Sequence, residues 1–146
     1  MSVSAGGVPK LPIDSGYVGP LGLLDDRHTE SFHGGADKAL CLFSLEVIET
    51  IASDGHSLAP GTAGENVTVH GIDWNEVVPG TRWLIGEEVE IEVTRFTTPC
   101  FKNARWFSDS DISRINQQLR PGRSRVYARV LTEGVIRPGD RFAPAG

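Results

Sequence analysis

The chain has 146 residues, 39% of them hydrophobic, which suits one domain with an ordinary core, and we assign residues 1–146 to that domain. Its start lacks the charged and apolar segments of a secretory signal, and no run approaches the ~18 apolar residues of a membrane span, so we expect a cytoplasmic protein without a membrane partner. The net charge of −5 argues against nucleic acid as a partner.

Short strands separated by glycine and proline dominate the predicted elements. In chain order, the patterns predict strands at residues 16–18, 65–69, 82–85, 88–94 and 124–131. The clearest is 88–94, in which Val89, Ile91 and Val93 share one face while acidic residues occupy the other. We therefore expect this strand to bury one face and expose the other to solvent.

Two helices are predicted among these strands. The first begins at Ser44 as N-cap and stops near Gly55. Its apolar stripe consists of Leu45, Ile48, Ile51 and Ala52. The second follows a helix-capping sequence at 109–111 and ends before Pro121. Its stripe consists of Ile112, Ile115 and Leu119. Many strands with few helices indicate a mainly β (β+α) fold, a barrel or strongly curved sheet with short helices packed around it.

Cys100 is the most informative residue for function. It ends a strand-like segment and is followed by cationic side chains such as Lys102. Cationic neighbours lower the pKa of a thiol toward neutrality, and the thiolate is the form that binds metals and attacks electrophiles. The alternative is a thiol that packs as a small hydrophobe, which is how we interpret Cys41 in the apolar run 39–43.

A second candidate segment is His33-Gly34-Gly35-Ala36-Asp37. Paired glycines permit positive φ and let the backbone approach a ligand closely, and an imidazole exchanges protons near neutral pH. A tight turn would require the same glycines. His33 is therefore either a ligand-facing residue or a structural loop residue.

The charges are unevenly distributed along the chain. Residues 1–94 carry 4 Lys and Arg against 15 Asp and Glu, whereas residues 95–146 carry 10 against 4. Cations gathered at a cleft would favour an anionic small-molecule ligand. The alternative is that the C-terminal arginines only solvate one surface, a set that comprises Arg114, Arg120, Arg123, Arg125, Arg129, Arg137 and Arg141.

Several short motifs, in one shared order, resemble the MOSC domain, named for the C-terminal domain of molybdenum cofactor sulfurase. The similarity is greatest to small stand-alone bacterial members and extends over nearly the whole chain. The matching pieces are residues 4–10, Gly22-Leu23, Asp26-Arg27-His28, His33-Gly34-Gly35-x-Asp37, residues 64–68, Pro99-Cys100 and residues 124–131.

The resemblance implies a β-barrel-like fold that holds an anionic, pterin-based molybdenum cofactor. Cys100 occupies the position of the family's metal-ligating cysteine, which in the related amidoxime-reducing proteins coordinates molybdenum while N-hydroxylated compounds are reduced. A small-molecule substrate of that class and a separate electron-donor protein are therefore expected. Sulfurases also contain a pyridoxal-phosphate domain, for which this chain is too short.

The resemblance and the charges together give the candidate site residues. Cys100 is the metal ligand, and His33 and His28 are candidates to hydrogen-bond the substrate or exchange protons with it. Lys10 lies where relatives place a phosphate-contacting residue, and Arg95 and Lys102 are candidates from their charge alone. The complete cofactor-binding set is Lys10, Arg27, His33, Gly34, Gly35, Asp37, Asn66, Arg95 and Lys102.

The sequence departs from the family pattern in two places. Asp25 precedes Asp26 where many relatives have glycine, and the run 120–123 reads Arg-Pro-Gly-Arg where relatives often have His-Pro-Gly-Trp. Two other functions therefore stay open. Cys100 carries persulfide sulfur from a sulfur donor, or holds the cofactor for delivery, in a non-redox module; or the domain binds no cofactor and Cys100 is a packed thiol.

Overall fold

A computed structural model describes residues 2–3, 16–20, 22–23, 38–60, 65–98, 107–109 and 111–145, with 2–3, 16–17 and 22–23 as backbone only. Within these ranges the regular secondary structure is mostly β with one α-helix, which confirms the predicted fold class. The strands are β1 Ser2–Val3, β2 Gly16–Gly19, β3 Gly22–Leu23, β4 Leu40–Ser44, β5 Val67–Val69, β6 Arg82–Ile85, β7 Val89–Phe96, β8 Val126–Thr132, β9 Gly134–Ile136 and β10 Phe142–Pro144. The helix α1 spans Leu45–Ser53, and 3₁₀ helices span Trp74–Glu76 and Ile112–Ile115.

The strands form two sheets. The larger has the order β1-β5-β4-β8-β7-β6-β10 and curls into a half-barrel, and the smaller has the order β3-β2-β9. In the larger sheet, β4 lies parallel to β5 and antiparallel to β8, and β7 lies antiparallel to both β6 and β8. The long neighbours β7 and β8 therefore form the middle of the curved sheet.

The main hydrophobic core packs against the inner face of the larger sheet. It includes Val89, Ile91 and Val93, so the face predicted for this strand is confirmed. A second cluster lies between α1 and the outer face of the sheet, and its buried members are Phe43, Ile48, Ile51, Leu58, Phe107 and Ile115. Among the described residues, this cluster covers the part of the outer face near Phe43.

Helix α1 begins and ends as its sequence predicts. The Ser44 hydroxyl accepts a hydrogen bond from the Val47 amide at 3.2 Å, which caps the first turn. Gly55, just past the helix, has a φ of 97°, a conformation that glycine adopts without steric cost. Within the described part of the chain, no helix has the length and hydropathy needed to cross a membrane.

The second predicted helix was wrong in extent. The chain forms only the 3₁₀ turn Ile112–Ile115, and Leu119 is 67% exposed instead of packed. The Asn116 side chain explains the early end, because its Oδ1 accepts the amides of Gln118 at 2.9 Å and Leu119 at 3.2 Å. Such a local turn competes with the helical hydrogen bonds. The capping interpretation of 109–111 is confirmed, since Asp111 accepts the Ser113 amide.

The boundaries of the five predicted strands were correct to within about two residues, whereas the short strands β1, β3, β9 and β10 were not predicted. Strand β7 continues two residues beyond Thr94, and β5 begins at Val67, after Glu65 and Asn66. The central strand β4 was missed, because its unbroken apolar run has no alternation. All five of its residues are buried, as expected for a strand that is covered on both faces.

Candidate functional site

A cleft of about 400 Å³ opens on the outer face of the larger sheet. Its described lining consists of Lys38, Arg95, Phe96, Thr98 and Tyr127. We call these five residues the cation cleft. Two of them are basic, none is acidic, and the volume is within the range of small-molecule sites.

Strand alternation directs Tyr127 into the cleft. Its neighbours Val126 and Ala128 are buried in the main core, so the tyrosine ring projects from the opposite face. Across the sheet, Tyr127 is paired with Cys41 of β4 on one side and with Arg95 of β7 on the other. The ring is therefore at the centre of three neighbouring strands.

A β-bulge directs Arg95 to the same face. Regular alternation after Val89, Ile91 and Val93 would place Arg95 on the inner face, among the core residues. The register shifts between Val93 and Arg95, so Thr94 is an extra residue in β7. The bulge turns Arg95 outward beside Tyr127, and Phe96 then packs against the core. Bulges re-aim side chains in this way next to binding sites.

Two cations share the Tyr127 ring. The Lys38 ammonium lies 5.3 Å from the ring centroid and the Arg95 guanidinium carbon 5.8 Å from it. Both distances are within the ~6 Å range of cation–π attraction. The ion pairs found among the described residues are Arg114–Asp109 and Arg129–Glu92, and neither includes a residue of the cation cleft.

A second, smaller cleft of about 290 Å³ lies farther along β7 and β8. It is lined by Gly80, Glu92, Val93, Thr94 and Arg129. Here the Arg129 Nε donates to Glu92 Oε1 at 2.7 Å, in a cross-strand pair whose register places the two residues opposite each other. We call this the paired cleft, because its arginine already has a carboxylate partner.

The cation cleft adjoins both predicted motifs in sequence. Lys38 directly follows Asp37, the last residue of the His33 motif, and Thr98 precedes Cys100 by two residues. Strand β7 ends at Phe96, four residues before Cys100, and the prediction that Cys100 ends a strand-like segment lies outside the described residues. The described residues nearest to the two motifs therefore line one cleft.

The chain around residues 97 and 108 is held by buried and partly buried hydrogen bonds. The Thr97 amide donates to the Arg125 carbonyl at 3.1 Å, and the Trp74 indole donates to the Ser124 carbonyl at 2.7 Å. The Ser108 amide donates to Nδ1 of His56 at 3.0 Å. These contacts fix the framework residues on either side of the segment 99–106.

Most of the predicted site residues lie outside the described residues. They are Cys100, His33, His28, Lys10, Arg27, Gly34, Gly35, Asp37 and Lys102, and their roles stay predictions. Asn66 and Arg95 are described. In the part of the chain that the structure describes, no group of three or more His, Cys, Asp or Glu side chains is placed to hold a metal ion.

Asn66 has a structural role in this fold. Its Oδ1 accepts the Cys41 amide at 2.9 Å, and its own amide donates to the Cys41 carbonyl at 3.0 Å. Both residues are buried. The amide oxygen of Asn66 thus joins the start of β5 to β4, and a contact between this residue and a cofactor stays a prediction.

Sequence reasoning did not select Lys38 or Tyr127 as site residues. Tyr127 had a usable signal, because it alternates with Val126 and Ala128 on a predicted strand and therefore faces away from the core. Lys38 had a weaker one, its position directly after Asp37. The interpretation that the C-terminal arginines only solvate one surface is not supported for Arg125, which is buried, or for Arg114 and Arg129, which pair with acids.

Comparisons with known proteins identify relatives over most of the chain. Residues 29–143 match the MOSC domain family. The YflK protein of Bacillus subtilis is 34% identical over 110 residues, which cover 73% of this chain and 48% of YflK. A Gibberella moniliformis protein named Reductase is 29% identical over 132 residues, which cover 87% of this chain and 23% of that protein.

A solved structure has the same fold. YiiM from Geobacillus stearothermophilus has a TM-score of 0.65 and 31% sequence identity, and the match covers 77% of this chain and 56% of YiiM. This chain therefore spans about half the length of YflK and of the matched YiiM, and less than a quarter of the protein named Reductase.

Proposed function

The chain belongs to the MOSC domain family, and we propose that it binds a molybdenum cofactor through the Cys100 thiolate and reduces N-hydroxylated compounds. The observation that carries the proposal is the position of the cation cleft. Its residues Lys38 and Thr98 are the described neighbours of the His33 motif and of Cys100. Two residues of extended chain span at most about 7 Å, so the Cα atom of Cys100 is no farther than this from the Cα atom of Thr98, which lines the cleft.

The described residues fit an anionic cofactor. Lys38 and Arg95 supply two positive charges, and none of the described lining residues of the cation cleft is acidic. Arginine and lysine form strong charge-assisted hydrogen bonds with phosphate and other oxyanions. A thiolate is a soft ligand, which suits it to a transition metal. When bound, the cofactor would supply the redox chemistry, while the chain supplies a ligand, orientation and charge.

The overall reaction requires an external reductant. Reduction of an N-hydroxylated compound breaks the N–O bond, takes up two electrons and two protons, and releases water. We propose that a separate donor protein supplies the electrons. The protein named Reductase, which is 29% identical to this chain, gives further support to a redox role.

The proposal is tested by expressing the chain in a host that makes the cofactor and measuring molybdenum per chain. We expect metal in the wild type and a loss of about tenfold or more in Cys100→Ser. Cys41→Ser is the matched control, because it removes the buried thiol of β4 and leaves Cys100 in place. Circular dichroism and thermal unfolding establish that both variants are folded.

Two results would contradict the proposal. Equal molybdenum in the wild type and in folded Cys100→Ser would exclude Cys100 as a necessary ligand. Sulfane sulfur on Cys100, without molybdenum and without reduction of an amidoxime by the dithionite-reduced protein, would favour the sulfur-carrier function instead.

A further inference from the structure

We infer that the turn formed by residues 116–123 is the docking surface for the electron-donor protein, and that the donor meets it with an acidic surface. We call residues 116–123 the cationic turn. The inference rests on the proposed function, because that function requires a separate donor. It adds where on this chain the donor binds and which charge its contacting surface carries.

The first step of the argument is charge. Residues 112–132 include five arginines and no acidic residue, although the whole chain has a net charge of −5. Two of these arginines form ion pairs with acids outside this range, and Arg125 is buried. The other two are Arg120 and Arg123, and neither is in an ion pair with another described residue. The cationic turn therefore carries the positive charges of this stretch that are available to a partner.

One acidic residue lies beside the cationic turn. A shallow cleft of about 260 Å³ separates the turn from α1, and its lining includes Arg123 and Glu46. The Glu46 carboxylate accepts the Ser44 hydroxyl at 3.3 Å and the Gly71 amide at 3.1 Å. Arg120 is exposed and does not line this cleft, so it is expected to attract an acidic partner more strongly than Arg123 does.

The second step is the shape of the turn. Leu119 is 67% exposed, the highest value for a large hydrophobic side chain among the described residues. Its amide donates to Asn116 Oδ1 at 3.2 Å, the Arg120 amide donates to the Asn116 carbonyl at 2.7 Å, and the Gly122 amide donates to Gln117 Oε1 at 3.1 Å. The turn is therefore pre-organised, which lowers the entropy cost of a contact with a partner.

The third step is the position of the turn relative to Cys100. The cationic turn continues directly into Ser124 and Arg125. The Ser124 hydroxyl donates to the Thr97 carbonyl at 3.4 Å, and the Thr97 amide donates to the Arg125 carbonyl at 3.1 Å. Thr97 precedes Cys100 by three residues, so their Cα atoms are at most about 11 Å apart. A donor bound to the turn is therefore beside the strand end that leads to the proposed metal ligand.

The acidic remainder of the chain favours a small partner over an extended one. Residues 1–94 carry 15 Asp and Glu against 4 Lys and Arg. An acidic donor is therefore repelled by much of the molecule and attracted by the turn, which orients the encounter. A membrane or a nucleic acid would also meet the acidic remainder. Electron-transfer complexes have small interfaces, which suits a patch of this size.

The inference is tested by titrating the full, metal-free chain with a plant-type two-iron, two-sulfur ferredoxin, a small acidic electron carrier, at low ionic strength. Amide chemical shifts measured by NMR should change most in the cationic turn. Arg120→Glu should weaken binding about tenfold or more, and binding by the wild type should weaken as salt is added. Arg137→Glu is the matched control, because it makes the same change in net charge at an exposed position after β9. It should bind to within about twofold of the wild type.

The contribution of the apolar side chain is tested by two substitutions at one position. Leu119→Ser removes the apolar contact and should weaken binding several-fold, with the salt dependence unchanged. Leu119→Met keeps an apolar side chain of similar size and should bind to within about twofold of the wild type. Equal losses in the two variants would contradict an apolar contact at this residue.

The electron-transfer role is measured on the chain loaded with cofactor. Two reduced ferredoxins supply one electron each, and with two protons from solvent these electrons break the N–O bond of an amidoxime and release water. At subsaturating ferredoxin we expect Arg120→Glu to lower this rate about tenfold. The rate with dithionite, a small reductant that needs no docking surface, should be the same in the variant and the wild type.

Three results would overturn the inference. They are no binding by the wild type at millimolar ferredoxin, equal losses in Arg120→Glu and Arg137→Glu, and binding of anionic phospholipid vesicles to the turn without binding of ferredoxin. Reduction of the amidoxime with dithionite in any of these cases would leave the proposed function intact. Conversely, ferredoxin binding at the turn without reduction by dithionite would reject the proposed function and support the turn as a surface for an acidic protein.

Discussion

Arg95 and Arg129 lie on adjacent strands and on the same face of one sheet, but their surroundings differ. Arg129 is opposite Glu92 and forms a cross-strand ion pair with it. Arg95 is opposite Tyr127, with Lys38 above the same ring. One arginine therefore contributes to a neutralised surface, and the other to a concentration of positive charge. The register of two strands therefore decides whether an arginine on this face is paired with an acidic side chain or is available to a ligand.

The β-bulge at Thr94 is the origin of this difference, and a charge placed on the residue that the bulge turns inward should have the largest effect. Because of the extra residue, Phe96 and not Arg95 packs against the core, so Phe96→Arg places an unpaired charge there. We expect a loss of about 3–5 kcal/mol in the free energy of unfolding, measured by chemical denaturation.

The converse substitution at the neighbouring residue is the control. Arg95→Phe changes a side chain on the outer face and should cost no more than about 1 kcal/mol. A Phe96→Arg variant as stable as the wild type would mean that the bulge does not determine which of the two residues faces the core.

The next largest effect concerns the end of β7 beside the cation cleft. Trp74→Phe removes the buried hydrogen bond from the indole to the Ser124 carbonyl and leaves that oxygen without its donor. We expect a loss of about 1–3 kcal/mol and faster hydrogen exchange of the nearby Thr97 amide. Both are measured on the purified protein, by denaturation and by exchange followed with NMR.

Trp83→Phe is the corresponding change nearer the paired cleft. Trp83 donates to the Thr81 hydroxyl at 2.9 Å, a partly buried bond that water can replace. Its loss should cost less than that of the Trp74 bond and should not affect exchange at Thr97. Equal effects of the two substitutions on Thr97 would show that Trp74 has no specific influence on this strand end.

A smaller effect is expected from the ion pair itself. A double-mutant cycle with Glu92→Gln and Arg129→Gln should give a coupling energy of about 0.2–1 kcal/mol, as for other exposed pairs. Arg95→Gln should destabilise the protein less than Arg129→Gln, because Arg95 has no acidic partner among the described residues. A destabilisation by Arg95→Gln as large as that by Arg129→Gln would contradict the difference between the two clefts.

The smallest effect concerns Asp109, whose pair with Arg114 resembles the paired cleft. The hydrogen bond from Arg114 lowers the pKa of Asp109 to about 2. A carboxyl with a lowered pKa in the folded state stabilises the protein above its unfolded pKa, and this contribution disappears as the pH falls from about 4 through about 2. An NMR titration of Asp109 should show this pKa, and Asp109→Asn should remove that part of the pH dependence of stability. A titration midpoint near 4 would contradict it.

Much of the fold was predictable because the signals are local. Ser44 and Gly55 delimit α1, and the alternation of Val89, Ile91 and Val93 identifies the buried face of β7. The second helix was predicted too long because the prediction relied on its helical spacing of apolar residues. The side-chain turn at Asn116, which ends the helix, was not considered. Strand β4 was missed because a strand buried on both faces has no alternation to detect.

The site was less predictable, because it depends on contacts between distant parts of the chain. The motif around Cys100 and the cationic character of the C-terminal part are visible in the sequence. No sequence pattern indicates the bulge that turns Arg95 outward. Nor does any pattern show that Arg129 is opposite Glu92 while Arg95 is opposite Tyr127. Arg95 was chosen for its charge, which it shares with arginines that form ion pairs.

The central claim is that Cys100 provides the metal ligand beside the cation cleft, and X-ray absorption at the molybdenum edge measures this most directly. Cys41→Ser and Cys100→Ser each retain one of the two cysteines. We predict that the Cys41→Ser protein has the wild-type spectrum, whereas metal retained by Cys100→Ser has one sulfur neighbour fewer. Three identical spectra would contradict the account.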